Sequence, residues 1–172
     1  PARGVCFSGL FTVSANTFNA FNGSIMSLGA SAHSFFRVNL TKQLGKTDQF
    51  SITALDEGID LSCGNSRFGV ENSISLCIGK SVSINSVSHT LSGQPEDSDT
   101  KFCIGGVSSS TVPRVYWRNV SVSADGVDYT YIPCEDASGT LGVYRVSSSG
   151  GGEFIAAQIV QNSDFSLSEA DL

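Results

Sequence analysis

Reactive side chains that could act together in catalysis are few and scattered in this sequence. His89 lies in the strand-like segment SVSHTLSG, and no Gly-x-Ser-x-Gly elbow accompanies it. Paired carboxylates could support glycoside hydrolysis. The candidates are Asp56 with Glu57, the carboxylates of 96–99, and Glu135 with Asp136. All lie in turn-like charged clusters, where solvated surface is the usual role of a carboxylate, so we predict that the chain is not an enzyme.

Metal ligands also lack a recognisable pattern. Glu96, Asp97 and Asp99 could present hard oxygen ligands to calcium, but the glycine spacing of an EF-hand loop is missing. The two histidines, His33 and His89, are isolated and no Cys-x-x-Cys occurs, which argues against a zinc site. We therefore predict no metal and no other cofactor.

The five cysteines favour disulfide bonds, and hence an oxidising compartment. A bond between Cys63 and Cys77 would close a loop around a glycine-rich turn, and a bond between Cys103 and Cys134 would join the two ends of a hairpin region. Cys6 is then left over. It is either a free buried thiol or the partner of a cysteine in another chain.

The amino-acid composition limits the classes of binding partner and the cellular location that we expect. Of 172 residues only 15% are charged, against about 25% in a typical domain, and serine, threonine and glycine take their place. The net charge of −6 argues against nucleic acid, and no run of about 18 apolar residues predicts membrane insertion. We expect a secreted protein whose targeting segment was removed before Pro1. The predicted glycosylation sites are Asn22, Asn39 and Asn119, each in an N-x-S/T sequon.

Alternation of apolar and polar residues runs through the chain and predicts β-strands with one buried face. It is clearest in the segments SFFRVNLT, QFSITAL and SVSINSV. Asp125-Gly126 lies between two β-prone runs and predicts a tight hairpin. About ten short strands at this spacing are typical of a sandwich, a jelly roll or a barrel. We therefore predict a one-domain, all-β fold.

Aromatic residues in the predicted hairpin raise the question of carbohydrate binding. Trp117, Tyr116, Tyr129 and Tyr131 lie there, either as exposed platforms or as core and cross-strand pairs, and we favour the second interpretation. The strand rhythm of FTVSANTF, GSIMSLG and FFRVNLT resembles that of laminin-G and concanavalin-like modules. That resemblance implies an alternative function, a secreted module with glycans as its ligands.

Both ends of the chain carry apolar segments that must pair with other strands, because an unpaired apolar strand aggregates. The first, GVCFSGLFTV, presents Val5, Phe7, Leu10, Phe11 and Val13. The second, EFIAAQIVQ, presents Phe154, Ile155, Ile159 and Val160. We accordingly divide the sequence into a terminal strand (1–13), a β-domain (14–146), a Ser/Gly hinge (147–152) and a C-terminal strand with a tail (153–172).

A terminal strand that pairs with another subunit makes a head-to-tail contact, and such contacts extend into filaments when they do not close. In this respect the terminal segments resemble those of pilin-like subunits of extracellular fibres, where one subunit's terminal strand completes the next subunit's sheet. The resemblance implies a structural subunit of an extracellular filament or surface layer, assembled as a head-to-tail homopolymer. We predict residues 4–13 as the exchanged donor strand and 153–161 as the alternative.

Overall fold

A computed structural model describes residues 5–14, 20–28, 36–93, 102–104 and 115–156. For residues 102–104 it describes the backbone alone. The described residues form thirteen strands and no helix, so the predicted all-β fold is confirmed. No membrane-spanning helix is found among them.

The strands follow one another mostly through short turns. They are β1 (Cys6–Val13), β2 (Phe21–Leu28), β3 (Phe36–Lys42), β4 (Gln49–Asp56), β5 (Ile59–Arg67), β6 (Glu71–Cys77), β7 (Ser81–Ile84), β8 (Val87–Thr90), β9 (Phe102–Ile104), β10 (Val115–Ala124), β11 (Val127–Glu135), β12 (Leu141–Ser147) and β13 (Gly152–Ala156).

These strands form two antiparallel sheets and no closed barrel. The larger sheet has eight strands in the order β13-β12-β11-β10-β1-β6-β7-β8, and the smaller has five in the order β5-β4-β3-β2-β9. Their buried residues form one common core, which is the arrangement of a β-sandwich.

The core follows the alternation seen in the sequence. On β3 and β4 the side chains that alternate inward, such as Phe36, Val38 and Ile52, are fully buried. Phe7 and Phe11 of β1 are buried in the same core cluster as residues of the smaller sheet. Burial of each such side chain contributes about 1.5–3 kcal/mol to the stability of the fold, so the alternating pattern explains why the two sheets pack face to face.

Tight turns join the consecutive strands β10, β11, β12 and β13 of the larger sheet. Asp125 and Gly126 both have positive φ, at 52° and 78°, and connect β10 to β11 as the predicted hairpin. The Ser/Gly segment 147–152, predicted as a hinge, is instead a hydrogen-bonded turn between β12 and β13. There the Ser147 N–H donates to the Gly151 carbonyl and the Gly150 N–H donates to the Ser147 carbonyl, at 3.2 and 3.0 Å. Gly150 supplies the left-handed residue (φ 103°) that this turn requires.

The N-terminal apolar segment lies in the middle of its own sheet. β1 pairs with β10 on one edge and with β6 on the other. Of the five side chains predicted to enter a neighbouring subunit, Phe7, Phe11 and Val13 are buried in the core of this chain, and Val5 and Leu10 are half-buried. With both edges paired, β1 has no free edge to offer, and we do not retain it as the donor strand.

The predicted disulfide pairing is wrong. Cys6 and Cys77 lie directly opposite each other in the β1–β6 ladder and form the disulfide, so Cys6 is not a spare thiol. Cys63 is consequently free and buried, and Cys134 is also a free thiol, so neither predicted bond is formed. Cys103 belongs to β9, in the other sheet from Cys134. The error arose because sequence spacing favours near neighbours, whereas strand pairing brings together residues that are 71 apart.

Candidate assembly interface

One end of the larger sheet extends beyond the core. We call residues 127–156, which form β11, β12 and β13, the β11–β13 extension. The core residues on the side of the larger sheet come from β1, β6, the β6–β7 turn, β7, β10 and the segment after β8. From the extension only Tyr131 packs against this core, and among the residues described Gly142 is its single buried position. The extension therefore exposes both faces of a sheet.

β13 forms the outer edge of this extension, and the turn before it fixes which backbone groups face outward. In an antiparallel ladder, alternate residues direct both their N–H and C=O to the same neighbour. The hydrogen bond from the Ser147 N–H to the Gly151 carbonyl shows that Gly151 directs its backbone groups toward β12. Every second residue after it does the same, so Glu153 and Ile155 form backbone hydrogen bonds with β12. The position of the Ile155 carbonyl against Gly142 agrees with this phase. The N–H and C=O groups of Gly152, Phe154 and Ala156 consequently point away from β12.

This edge lacks the usual protection against pairing with another strand. Natural edge strands carry lysine, proline, bulges or inward charges, whereas β13 has the sequence GEFIA. Its single charge, on Glu153, forms an ion pair with Arg145 of β12. Arg145 in turn lies over the ring of Tyr129, 4.9 Å from its centroid. The edge is therefore close to neutral and open among the described residues.

Apolar side chains line the outer face of the extension. The register places Ile132, Tyr144 and Phe154 in one row across β11, β12 and β13. Ile132 and Tyr144 are 43% and 42% exposed, which is high for side chains of this size. The row is a continuous apolar strip that ends at the free edge.

Two glycines let the aromatic rings of this strip lie flat on the sheet. A Cβ on Gly142 would approach the Ile155 carbonyl oxygen to 2.3 Å and the Phe154 ring to 2.7 Å. A Cβ on Gly152 would approach the Tyr144 ring to 2.6 Å. Each aromatic side chain thus covers a bare glycine on the neighbouring strand, which holds β13 against β12.

The other edges of the sandwich are less available. β8 is four residues long, and the His89 Nε2–H donates to the Ser62 carbonyl of β5 at 2.7 Å, so these two edges lie against each other. β5 also carries Asp60 and Arg67, and the latter pairs with Asp48. β9 has three residues. Among the described strands, β13 offers the most accessible edge.

Two of the residues considered for catalysis, Asp56 and Asp136, have structural roles. Asp56 is buried, and its Oδ2 accepts hydrogen bonds from the Ser92 and Gly93 N–H groups at 3.0 and 3.1 Å, which ties the segment after β8 to the smaller sheet. Asp136 stabilises the β11–β12 turn. Its Oδ1 accepts bonds from the Ser138 hydroxyl and the Thr140 N–H, and these bonds lower the pKa of the carboxyl group.

The remaining candidates are dispersed. Glu57 is exposed in the β4–β5 turn, and Glu135 is exposed at the end of β11. Glu96, Asp97, Asp99 and His33 lie outside the described residues. No group of three or more potential metal ligands occurs in the described part of the chain.

Trp117 packs against the core and is not an exposed platform. Its ring lies 5.8 Å from that of Phe7 and 5.3 Å from that of Phe11, and Gly9 beneath it makes room for the indole. The interpretation of Trp117 as a core residue is confirmed. Its indole nitrogen is buried, so this donor is not presented at the surface.

A row of hydroxyl groups crosses the outer face of the larger sheet. Register pairs connect one residue on each of six consecutive strands from β8 to β11. The row consists of Ser88, Ser83, Ser75, Ser8, Ser121 and Thr130. Neighbouring strands are spaced by about 4.8 Å, and the Ser88 hydroxyl donates to the adjacent Ser83 hydroxyl at 2.9 Å. We call this uncharged feature the hydroxyl row.

The predicted glycosylation sites differ in accessibility. Asn22 and Asn119 are exposed, and Asn119 lies at a bulge in β10 with a positive φ of 53°. Asn39 lies in the middle of β3, and its Oδ1 is buried without a partner. The geometry therefore favours modification of Asn22 and Asn119 over Asn39.

Some residues of the β11–β13 extension could be singled out from the sequence, and others could not. Of the predicted alternative assembly residues, Phe154 and Ile155 lie in β13, whereas Ile159 and Val160 lie outside the described residues. Arg145, Tyr144 and Gly142 were not singled out, because their roles depend on strand register. No protein-family model matches the chain, and a comparison with curated proteins found no match.

Proposed function

We propose that this chain is a secreted, non-catalytic structural subunit that associates with copies of itself by β-augmentation at the outer edge of β13. In this proposal it is a building block of an extracellular filament or surface layer. The observation that carries the proposal is the unprotected β13 edge, whose outward backbone groups are flanked by apolar side chains on both faces. Backbone bonds from a second strand would satisfy those groups.

Further features support an extracellular setting. The Cys6–Cys77 disulfide is typical of proteins that fold in an oxidising compartment. Asn22 and Asn119 are accessible to glycosylation there. The low charged fraction of 15% suits a surface that packs against its neighbours more than one that repels them.

Proline at position 156 tests the proposal with little effect on the fold. Ala156 is exposed and its N–H points outward, so Ala156→Pro removes one outward donor while the ladder to β12 remains. We expect sedimentation velocity to show concentration-dependent association of the wild-type chain and a loss of at least tenfold in association constant for Ala156→Pro.

The matched control is Ala156→Ser, which keeps the N–H group and should associate like the wild type. Electron microscopy of the associated material would then show whether it forms filaments or layers. A wild-type chain that stays monomeric at every accessible concentration would refute the proposal. Equal association of the proline and serine variants would show that the β13 edge is not the contact.

A second candidate function is glycan binding, and the hydroxyl row favours it. Hydroxyl groups both donate and accept hydrogen bonds, as sugars do. The row is exposed at Ser8, Ser75, Ser88 and Thr130, and it carries no charge. An extended neutral polysaccharide lying across the strands would meet one hydroxyl at each strand.

A glycan array separates the two candidates. A glycan-binding module should show saturable binding as a monomer, and the double variant Ser8→Ala/Ser121→Ala should weaken that binding. Thr47→Ala, at an exposed loop position away from the row, is the control. Binding that is unaffected by the double variant would exclude the hydroxyl row as the contact.

A further inference from the structure

The geometry points to a specific partner for β13, namely β13 of a second copy, paired antiparallel about a twofold axis through Phe154. This inference rests on the proposed function, because it specifies the contact through which the chain associates. It makes the first product of association a closed dimer and joins two eight-stranded sheets into one of sixteen strands.

The hydrogen-bonding phase of β13 permits this pairing. Gly152, Phe154 and Ala156 direct their N–H and C=O groups outward. With Phe154 opposite Phe154 of the second copy, Gly152 lies opposite Ala156 and Ala156 opposite Gly152. All outward groups of β13 would then be satisfied by the same groups of the other copy, as in a regular antiparallel ladder.

Charge selects this register over its neighbours. A shift that centres the pair on Glu153 would place two carboxylates directly opposite each other, which is destabilising. A shift that centres it on Ile155 would pair only two of the three outward residues within the described strand, Phe154 and Ala156. In the Phe154-centred register Glu153 faces Ile155 of the second copy and keeps its ion pair with Arg145.

The same register makes the apolar strip continuous. Ile132, Tyr144 and Phe154 form one row in each copy, and the row ends at the free edge. Across the twofold axis the two rows join at their Phe154 rings, so each ring would lose solvent contact on its open side. Burial of this aromatic surface would stabilise the dimer in addition to the backbone hydrogen bonds.

The size of the contact predicts reversible association. Pairing of a five-residue edge strand buries less surface area than a stable protein–protein interface, which buries at least about 1,200 Å². We therefore expect the dimer to dissociate on dilution. A filament or layer would be built from such dimers through a second surface, because a twofold contact closes on itself.

Cysteine cross-linking tests the register. The changes are made in a Cys134→Ser background, which removes the half-buried free thiol. Opposed residues of a hydrogen-bonded pair have Cα atoms about 5.5 Å apart, within the about 4.4–6.8 Å that a disulfide spans. Under mild oxidation we expect Phe154→Cys to give covalent dimers. Ile155→Cys alone should give none, but a mixture of Ile155→Cys with Glu153→Cys should give dimers containing one copy of each.

Sedimentation velocity on the same variants separates the possible failures. Association with cross-linking through Ile155→Cys alone would overturn the register. Association without cross-linking at any of the three positions would overturn self-pairing of β13 and leave the proposed function standing with a different partner edge. The absence of association at every accessible concentration would overturn both the register and the proposed function.

Discussion

At the scale of single residues, carboxylates that look reactive in the sequence serve as backbone acceptors. Asp56 holds two N–H groups after β8, and Asp136 holds the turn between β11 and β12. Each forms these bonds because a turn or strand end leaves N–H groups without a ladder partner. Their roles can be read from the three-dimensional contacts but not from the residue type.

The carboxyl group of Asp136 provides a pH-dependent test. Hydrogen bonds from the Ser138 hydroxyl and then the Thr140 N–H lower its pKa below the ordinary 3.8. A lowered pKa in the folded state stabilises the fold above the unfolded-state pKa, and this contribution is lost as the pH falls through the folded-state value. We expect an NMR titration to give a pKa below 3.8 in the wild type and a value closer to 3.8 in Ser138→Ala. The same pKa in both proteins would contradict the assigned cause.

At the scale of elements, β13 is held by the shape of its neighbour as well as by hydrogen bonds. Gly142 of β12 lies under the Phe154 ring and against the Ile155 carbonyl. The close approach explains why an edge strand of five residues can remain attached outside the core. It also makes β12 a determinant of the proposed interface.

Gly142→Ala is expected to detach β13. The added methyl group would lie 2.3 Å from the Ile155 carbonyl oxygen, and backbone at that distance must move. Amide hydrogen exchange should show faster exchange at Glu153 and Ile155, with β3 and β4 unchanged. Ser75→Ala, at an exposed strand position, is the control. Unchanged protection of β13 in Gly142→Ala would contradict the packing described here.

The elements show what the sequence could predict. Alternation at positions such as Phe36 and Val38 was sufficient for the all-β fold, because burial on one face imposes a period of two. Asp125-Gly126 was sufficient for one hairpin, because it is a local turn signal.

The central position of β1 could not be predicted from the sequence, because its partners β6 and β10 are distant along the chain and their register is set by the whole core. The prediction of the disulfide partners was wrong for the same reason. The sequence of the Ser/Gly segment does not distinguish a hinge from a turn, because glycine permits both a flexible linker and a left-handed turn residue, and the outcome depends on the flanking strands.

At the scale of the whole molecule, the Cys6–Cys77 disulfide joins the first strand to the middle of the chain. It links two adjacent strands at the centre of the larger sheet. Because β1 also contributes to the core, the bond restricts the unfolded chain where the two sheets are held together.

Removal of this disulfide should lower the free energy of unfolding. For a separation of 71 residues, the restriction of the unfolded chain amounts to about 4 kcal/mol. Urea unfolding of Cys6→Ser/Cys77→Ser should therefore show a clearly lower midpoint than the wild type. Cys134→Ser, which removes a free thiol, should leave the midpoint nearly unchanged. Equal midpoints for the double variant and the wild type would contradict this account.

The central claim is that the outward side of β13 pairs with a second chain. Amide hydrogen exchange at Gly152, Phe154 and Ala156, measured over a range of protein concentrations, tests it most directly. The account predicts that these three amides exchange rapidly in dilute protein and become protected as concentration rises, while Glu153 and Ile155 are protected throughout. Outward amides that exchange at the same rate at every concentration would contradict it.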